Sequence, residues 1–340
     1  MTKEHHHSDR PRPRVTSRRD FIKLAAMAGL LAGCRPLEKL ATPTSTPVPT
    51  PITEPSKVVH TRHASVWDGE ALIPEAVRQM LETSITKLTG LDDAGKAWAA
   101  LFSPDERIAI KVNTIATSRF WTHVPLVIAV AECLKEAGIP AGQIIIFDRY
   151  TSELEGAGYS INKDGPGVRC YATDRNYTAG WKLVGFDIQL SDILLNCDAL
   201  INMPILKHHT VSGCPFAMKN HYGTFDRPGH FHQGRIGRAI AKLNALPPIR
   251  DRTRLIIGDA LTVCPGGWHR AVTWDSILMG LDPVAHDTVG LQVLVETRSS
   301  EGLNSTAVTN MANRWLENAV ELGLGTNNPD HIELIEVSLG

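Results

Sequence analysis

The sequence predicts an α/β fold with a mostly parallel sheet and helices on both faces. Two observations lead to this prediction. Short apolar runs of strand length alternate along the chain with longer segments of helical periodicity, which is the order expected of β-α-β units. The apolar runs are also nearly continuous, which is typical of parallel strands that are covered on both sides.

The individual elements follow from length and spacing. Five aliphatic runs have the length of buried strands, and they span residues 107–113, 143–149, 199–207, 254–260 and 276–282. Five longer segments show helical spacing of their apolar residues, and they span residues 74–88, 125–138, 235–246, 284–297 and 306–322. The alternation of the two sets favours one α/β body over an all-α or all-β fold.

The first 33 residues have the pattern of an export signal. A paired arginine, Arg18 and Arg19, precedes an apolar run over residues 24–32, which is shorter than the ~20 residues that a spanning helix needs. This order resembles the twin-arginine signal, and the following "LAGC" resembles the site where a lipoprotein signal peptidase cuts. We therefore expect residues 1–33 to be removed by the export and lipoprotein-processing machinery, and Cys34 to carry lipid.

Residues 34–57 are rich in proline and threonine and predict an extended spacer between the lipid anchor and the body. The body, residues 58–340, would then face the periplasm or the cell exterior while lipid holds it at the membrane. The net charge of −1 at pH 7 gives no electrostatic basis for binding nucleic acid.

Cysteine spacing argues against an iron–sulfur cluster or a zinc ribbon. The five cysteines after Cys34 include no C-x-x-C pair, whereas such sites need closely spaced thiolates. One or two disulfides would still leave an unpaired thiol, because five is an odd number. The apolar surroundings of Cys133 in its predicted helix indicate a core position.

Each predicted strand begins apolar and becomes polar at its carboxyl end. In open α/β sheets, ligands bind in the crevice outside those ends. A lysine at the end of a buried strand needs a counter-ion, which is either a neighbouring aspartate or an anionic ligand. Both explanations remain open, as does simple solvation of each strand end. The polar end residues are Lys111, Asn113, Asp148, Arg149, Lys207, His208, Asp259 and Asp282.

The segment over residues 206–235 concentrates histidines next to that predicted crevice. His230 and His232 are two residues apart, a spacing that suits two ligands of one divalent metal. His221 is the predicted third ligand, with His209, Asp259 and His269 as other options. The alternative is that these histidines are ordinary hydrogen-bonded side chains. The run "CPGGWHR" over residues 264–270 adds a glycine pair of the kind that approaches anions closely.

Four motifs together resemble the bacterial and archaeal family called domain of unknown function 362. They are "IKVNT" at 110–114, "ALINMPILKHHTVSGCPFAMKNHYG" at 199–223, "LIIGDA" at 255–260 and "LDPVAHD" at 281–287. The similarity spans residues 58–298, and Lys-x-His followed by Lys-Asn-x-x-Gly is its most specific part. Some family members carry an added ferredoxin-type cysteine cluster, which this sequence lacks, and His286 departs from the usual apolar residue. The resemblance places Lys111, Asn113, Lys207, His209, Lys219, Asn220, Asp259, Asp282 and Asp287 at the family's characteristic positions.

Three functions are consistent with these features. The preferred one is an enzyme acting on a small anionic substrate, which Lys111, Asn113, Lys207, Lys219 and Asn220 would hold. His209 and Asp259 would then transfer protons or bind a divalent metal. The alternative is a lipid-anchored protein that binds a small anion or a metal and passes it on. A surface interaction module is the third option, and it would not require the polar groups to converge.

Overall fold

A nine-stranded sheet forms the centre of the protein, with strand order β13-β1-β12-β11-β9-β4-β5-β6 and with β10 paired to β11 beside this path. The computed structural model describes residues 54–115, 120–232, 234–266 and 271–340. The predicted signal segment, Cys34 and most of the spacer lie outside these residues, as does His269. The strands are β1 Ser56–His63, β2 Trp67–Asp68, β3 Ala71–Leu72, β4 Ile108–Lys111, β5 Ile144–Phe147, β6 Arg169–Cys170, β7 Tyr177–Leu183, β8 Phe186–Ser191, β9 Ala199–Asn202, β10 Ile205–Lys207, β11 Thr253–Cys264, β12 Val272–Gly280 and β13 Ile332–Leu339.

Helices cover both faces of this sheet. Short 3₁₀ turns at Ala141–Gln143, His221–Thr224, Pro228–Phe231 and Pro329–His331 complete the connections. Among the described helices, none is long and apolar enough to cross a membrane. The helices are α1 Pro74–Thr89, α2 Ala94–Leu101, α3 Val124–Glu136, α4 Thr151–Gly156, α5 Asp192–Leu195, α6 Ala217–Asn220, α7 Ile236–Asn244, α8 Pro247–Arg250, α9 Pro283–Ser300 and α10 Thr306–Glu321.

Successive strand residues feed two separate hydrophobic clusters, one on each face of the sheet. In β4, Ile108 and Ile110 pack among α1, α2 and α3, whereas Ala109 between them joins the cluster beneath α7, α9 and α10. This division follows from the two-residue period of a strand. It explains the nearly continuous apolar runs, and it confirms the predicted α/β class with helices on both faces.

Most neighbouring strands are parallel, and β12 is the exception. It pairs antiparallel with both β11 and β1, whereas β4, β5, β6 and β9 form a parallel block that β11 continues. The prediction that Asp282 joins the other strand ends was therefore wrong, because β12 points the opposite way. Asp282 is instead the N-cap residue of α9 and accepts hydrogen bonds from the backbone N–H groups of Val284 and Ala285 at 2.8 and 2.9 Å.

The structure also corrects the predicted strand over 199–207. Pro204 lacks a backbone donor, and it separates β9 from β10. The sequence prediction missed β1 and β13, which pair with each other in parallel and bring both ends of the body into the sheet. It also missed the antiparallel hairpin of β7 and β8.

Candidate functional site

A cavity of about 310 Å³ lies at the carboxyl ends of β4, β5 and β10. Its outer wall comes from the histidine-rich connection between β10 and α7. The structure thus brings six of the sequence-predicted ligand-holding and proton-transfer residues to one cavity, together with His232 from the predicted metal set. The polar and aromatic lining side chains include Lys111, Asn113, Asp148, Arg149, Glu153, Lys207, His209, Lys219, Asn220, Tyr222 and His232.

Lys111 is neutralised by Asp148. Its Nζ lies 2.7 Å from Asp148 Oδ1, and both side chains are almost fully buried. The second carboxylate oxygen accepts hydrogen bonds from the Thr114 backbone N–H at 2.7 Å and from its hydroxyl at 2.8 Å. Because a buried ion pair is favourable only when its remaining hydrogen-bonding capacity is filled, these contacts identify Lys111 and Asp148 as a satisfied structural pair.

Gly223 explains the glycine of the Lys-Asn-x-x-Gly motif. A Cβ at this position would lie 2.6 Å from Asp148 Oδ1 and 2.7 Å from Lys111 Nζ. The backbone of the loop therefore rests directly on the ion pair, and only glycine leaves the pair undisturbed.

Three side-chain amides form a hydrogen-bonded chain that begins at Lys207. Asn113 Oδ1 accepts a hydrogen bond from Lys207 Nζ at 2.7 Å, and Asn113 Nδ2 donates to Asn220 Oδ1 at 2.9 Å. Asn220 Nδ2 in turn donates to Asn202 Oδ1 at 2.8 Å. Each amide therefore has a fixed orientation. Burial lowers the pKa of Lys207 to about 8, although Asp148 acts in the opposite direction.

Lys219 differs from the other two lysines in its contacts. Its Nζ lies 4.2 Å from the ring centroid of Tyr222 and 3.5 Å from Nε2 of His232. Within the described part of the chain, no carboxylate forms an ion pair with it. Burial, reinforced by the nearby charge of Lys207, lowers the pKa of Lys219 to about 7. An amine in this environment exchanges readily between its charged and neutral forms at neutral pH.

His209 and His232 face each other with ring centroids 5.6 Å apart. The Nδ1 atom of His209 accepts hydrogen bonds from the backbone N–H groups of Val211 at 3.1 Å and Ser212 at 3.3 Å. Neutral His209 must therefore carry its proton on Nε2. The arrangement is reversed in His232, where Nδ1 lies 3.0 Å from the carbonyl of Pro228 and must donate to it. Neutral His232 consequently has a free electron pair on Nε2, on the side facing Lys219.

Burial and nearby positive charge keep both rings neutral. Burial, together with the nearby charges of Lys219, His232 and Lys207, lowers the pKa of His209 to about 3. Burial followed by Lys219 also lowers the pKa of His232. The cavity therefore presents one imidazole as a hydrogen-bond donor and the other as an acceptor.

The short helix α6 places Lys219 and Asn220 in this cavity. Buried Asp287 on α9 accepts hydrogen bonds from the backbone N–H groups of Ala217 at 2.8 Å and Met218 at 2.9 Å. Two of the donors that a helix start leaves unpaired are thereby satisfied. Asp287, which the family resemblance singled out, thus has a positioning role and does not line the cavity.

Asp259, the other predicted catalytic residue, lies on the opposite face of the sheet from His209. Its Oδ2 accepts hydrogen bonds from His123, from the backbone N–H at 2.8 Å and from ring Nδ1 at 2.7 Å. Burial lowers the pKa of His123, and the charge and hydrogen bond of Asp259 raise it by more. The predicted pairing of His209 with Asp259 is therefore not assembled, and the partner of Asp259 is His123, which the sequence did not indicate.

The three predicted metal ligands occupy different surroundings. His221 is buried with Nε2 3.2 Å from Asn202 Nδ2, while His230 packs edge-on against Phe186 at a centroid distance of 4.7 Å. Only His232 lines the cavity. Among described residues, no group of three metal-binding side chains is close enough to hold an ion, so we assign no metal to these histidines.

Two further lining residues received no role in the sequence analysis. Arg149 follows β5 and donates to the carbonyl of Asp226 at 2.9 Å. Glu153 lies on α4, and burial followed by the charge of Asp148 raises its pKa. The strand-end pattern contained Arg149 and gave it no function, whereas nothing in the local sequence distinguishes Glu153 from a surface glutamate.

The solved structures that resemble this chain include two with low sequence identity. The lactate racemase apoprotein from Thermoanaerobacterium thermosaccharolyticum is 11% identical, with a TM-score of 0.39 and coverage of 69% of this chain and 56% of that one. A protein from Thermotoga maritima is 12% identical, with a TM-score of 0.39 and coverage of 69% and 60%. This chain spans less than two thirds of either protein.

No curated protein matches the sequence. The family model for the domain of unknown function named DUF362 matches residues 108–292, which is more than half of the 340 residues. These residues include every part of the cavity described above. The chain therefore belongs to the DUF362 family.

Proposed function

We propose that the protein is an enzyme that binds a small anionic substrate in this cavity and transfers a proton to or from it. The observation that supports this most directly is the charge of the lining, where basic side chains outnumber carboxylates. The basic residues are Lys111, Arg149, Lys207 and Lys219, and the acidic residues are Asp148 and Glu153.

The excess positive charge favours an anion over a cation. Asp148 already forms an ion pair with Lys111 and accepts hydrogen bonds from Thr114, so its charge is not available to a cationic ligand. Attraction between unlike charges is stronger in a partly enclosed cavity than in water. A volume of about 310 Å³ lies at the lower end of the range for small-molecule sites, which suits a small carboxylate or phosphate compound.

The groups beside the anion position favour an enzyme over a simple binding protein. Burial and Lys207 hold the pKa of Lys219 at about 7, in the range where proton transfer is most effective. His209 and His232 add a donor and an acceptor within the same cavity. A protein that only captures an anion would gain more from fully charged lysines.

Anion binding is measured by isothermal titration calorimetry with propionate and with inorganic phosphate. We expect the Lys207→Met variant to bind at least about tenfold more weakly than the wild type, which corresponds to about 1.4 kcal/mol. Lys242→Met is the matched control, because Lys242 is an exposed lysine of α7 outside the cavity lining. Equal affinities in all three proteins, or no binding of either anion, would contradict the proposed site.

Turnover is tested separately from binding. A mixture of small carboxylates and phosphate esters is incubated with the protein in D₂O and followed by mass spectrometry. An enzyme that transfers protons consumes a compound or introduces deuterium into it, and the Lys219→Met variant does so more slowly. A compound that is retained without any change would instead support the lipid-anchored binding protein.

We also propose that the protein is exported and held at the membrane by lipid on Cys34. The supporting features are the Arg18–Arg19 pair, the apolar run over 24–32 and the "LAGC" sequence. The test is mass spectrometry of the amino-terminal peptide from the membrane fraction. A lipid-modified Cys34 as the first residue is expected, and Cys34→Ser should release the protein from the membrane. An unprocessed amino terminus in the soluble fraction would refute this proposal.

A further inference from the structure

We propose that Lys219 is a nucleophile that forms an imine with the carbonyl carbon of a small 2-oxo acid. The inference rests on the proposed function and deepens it, because it names the substrate class and the first covalent step. The positions of Lys219, Tyr222, His232 and Lys207 around the cavity support it.

The surroundings of Lys219 match those of a nucleophilic lysine. Such a lysine must lose its proton, and proteins achieve this by desolvation or by placing a second cation nearby. Lys219 has both, since it is 9% exposed and Lys207 lowers its pKa further, to about 7. A purely structural lysine at this depth would have a carboxylate partner, as Lys111 has in Asp148.

His232 is placed to accept the proton of Lys219. Its Nδ1–H is held by the carbonyl of Pro228, so the free electron pair of Nε2 lies 3.5 Å from Lys219 Nζ. The ring face of Tyr222 closes another side of the amine at 4.2 Å. The nitrogen therefore has one proton acceptor and an open side toward the cavity.

The chemical step balances without any further reactant. The neutral amine adds to the carbonyl carbon, and the C=O bond becomes C–OH in the addition product. The two amine protons leave with that oxygen as water while the C=N bond forms. His232 is placed to take a proton from the nitrogen and to return it to the departing oxygen as water forms. His209 stays neutral throughout, and its Nε2–H is available as a hydrogen-bond donor to that oxygen.

Two other basic residues of the cavity, Lys207 and Arg149, are available to bind the carboxylate of the substrate. Lys207 and Arg149 line the same cavity as Lys219, so a carboxylate beside the carbonyl would meet them while the carbonyl meets the amine. Carboxylate and carbonyl are adjacent in a 2-oxo acid, and a cavity of about 310 Å³ limits the remainder of the molecule to a small group.

The experiment traps the imine with sodium cyanoborohydride in the full-length protein. Pyruvate and glyoxylate are the probes, and propionate, which lacks the carbonyl, is the matched control. Peptide mass spectrometry locates the reduced adduct. Because a neutral amine reacts and a charged one does not, we expect at least about tenfold more adduct at Lys219 than at exposed Lys242 near pH 7. Propionate should give none.

Two variants complete the test. Lys219→Arg keeps a cation in the cavity and should lose the adduct while retaining propionate binding. His232→Gln should slow adduct formation, with circular dichroism used to verify that both variants fold. If propionate binds but Lys219 gives no more adduct than Lys242, the imine is refuted and the anion site remains. If neither pyruvate nor propionate binds, both proposals fail.

Discussion

The cationic cavity and the His123–Asp259 pair lie at the same edge of the sheet but on opposite faces. Lys111 follows Ala109 on the face covered by α7, α9 and α10, whereas Asp259 shares its face with Ile257 beneath α1 and α3. The cavity contains an excess of positive charge, while Asp259 is fully used by His123 and the backbone of Leu261. The position of a residue at a strand end therefore places it at the carboxyl edge of the sheet. The alternation of side chains along the strand then determines on which face it lies and which groups it can contact.

The largest effect on stability should come from the cavity lysine that forms an ion pair with Asp148. Asp148→Asn leaves the charge of Lys111 buried without a counter-ion, and we expect a loss of about 3 kcal/mol in the free energy of unfolding. Urea denaturation measures this loss. Asp187→Asn, which breaks the exposed pair with Lys182, is the control and should leave the denaturation midpoint unchanged. Similar midpoints for the two variants would mean that Lys111 does not depend on Asp148.

The next effect is the pH dependence that Lys219 gives to the free energy of unfolding. The pKa of Lys219 is about 7 in the folded protein because burial and Lys207 lower it from 10.5. Between those values the unfolded chain binds more protons, so this residue makes the protein more stable as pH rises and less stable as pH falls.

Replacing Lys219 with methionine should remove that dependence. Relative to the variant, the wild type should gain roughly 2 kcal/mol between about pH 7 and pH 9. Urea denaturation at both pH values measures the difference. A constant difference between the two proteins would show that Lys219 keeps its proton throughout this range.

A smaller effect is expected on the other face of the sheet. Asp259→Asn removes the charge that raises the pKa of His123, so the pKa of that ring should fall in an NMR titration. A raised pKa contributes stability below the unfolded value, and this contribution is lost as pH rises through the folded value. The variant should therefore lose about 1 kcal/mol near pH 5 and less above pH 8. An unchanged titration of His123 would contradict this account.

The smallest expected effect is on the affinity for propionate when the His123–Asp259 pair, on the other face of the sheet from the cavity, is disrupted. His123→Gln should leave the affinity for propionate within about twofold of the wild type, because the ring lies on the other face of the sheet. Calorimetry under the conditions used for Lys207→Met provides the comparison. A large loss of affinity in His123→Gln would mean that the two faces share one site.

The sequence was sufficient to predict the fold class and the edge at which polar groups gather. Continuous apolar runs identify buried strands, and their polar ends identify the carboxyl edge. The direction of each strand could not be predicted, because an apolar run does not show whether β12 is parallel or antiparallel to β11. The pairing of β1 with β13 was also not visible, since it joins segments from the two ends of the body.

The candidate site was predictable in its lysines and less so in its histidines. Lys111, Lys207 and Lys219 stand at strand or helix ends where burial can be inferred from the neighbouring residues. The roles of the imidazoles depend on which carbonyl or N–H group meets each ring nitrogen, as with Pro228 at His232. That information arises only when the connection between β10 and α7 folds, and residue spacing does not contain it.

The contact between Gly223 and the Lys111–Asp148 pair limits how that pair can exchange with water. Side chains that cover a buried group can rotate aside within nanoseconds, whereas movement of a loop backbone takes nanoseconds to microseconds or longer. On the Gly223 side, the atoms that approach the pair belong to the main chain. Exchange of the Lys111 ammonium protons with solvent on the Gly223 side should consequently require the loop itself to shift, so a slow component of that exchange would report on the opening of that part of the fold.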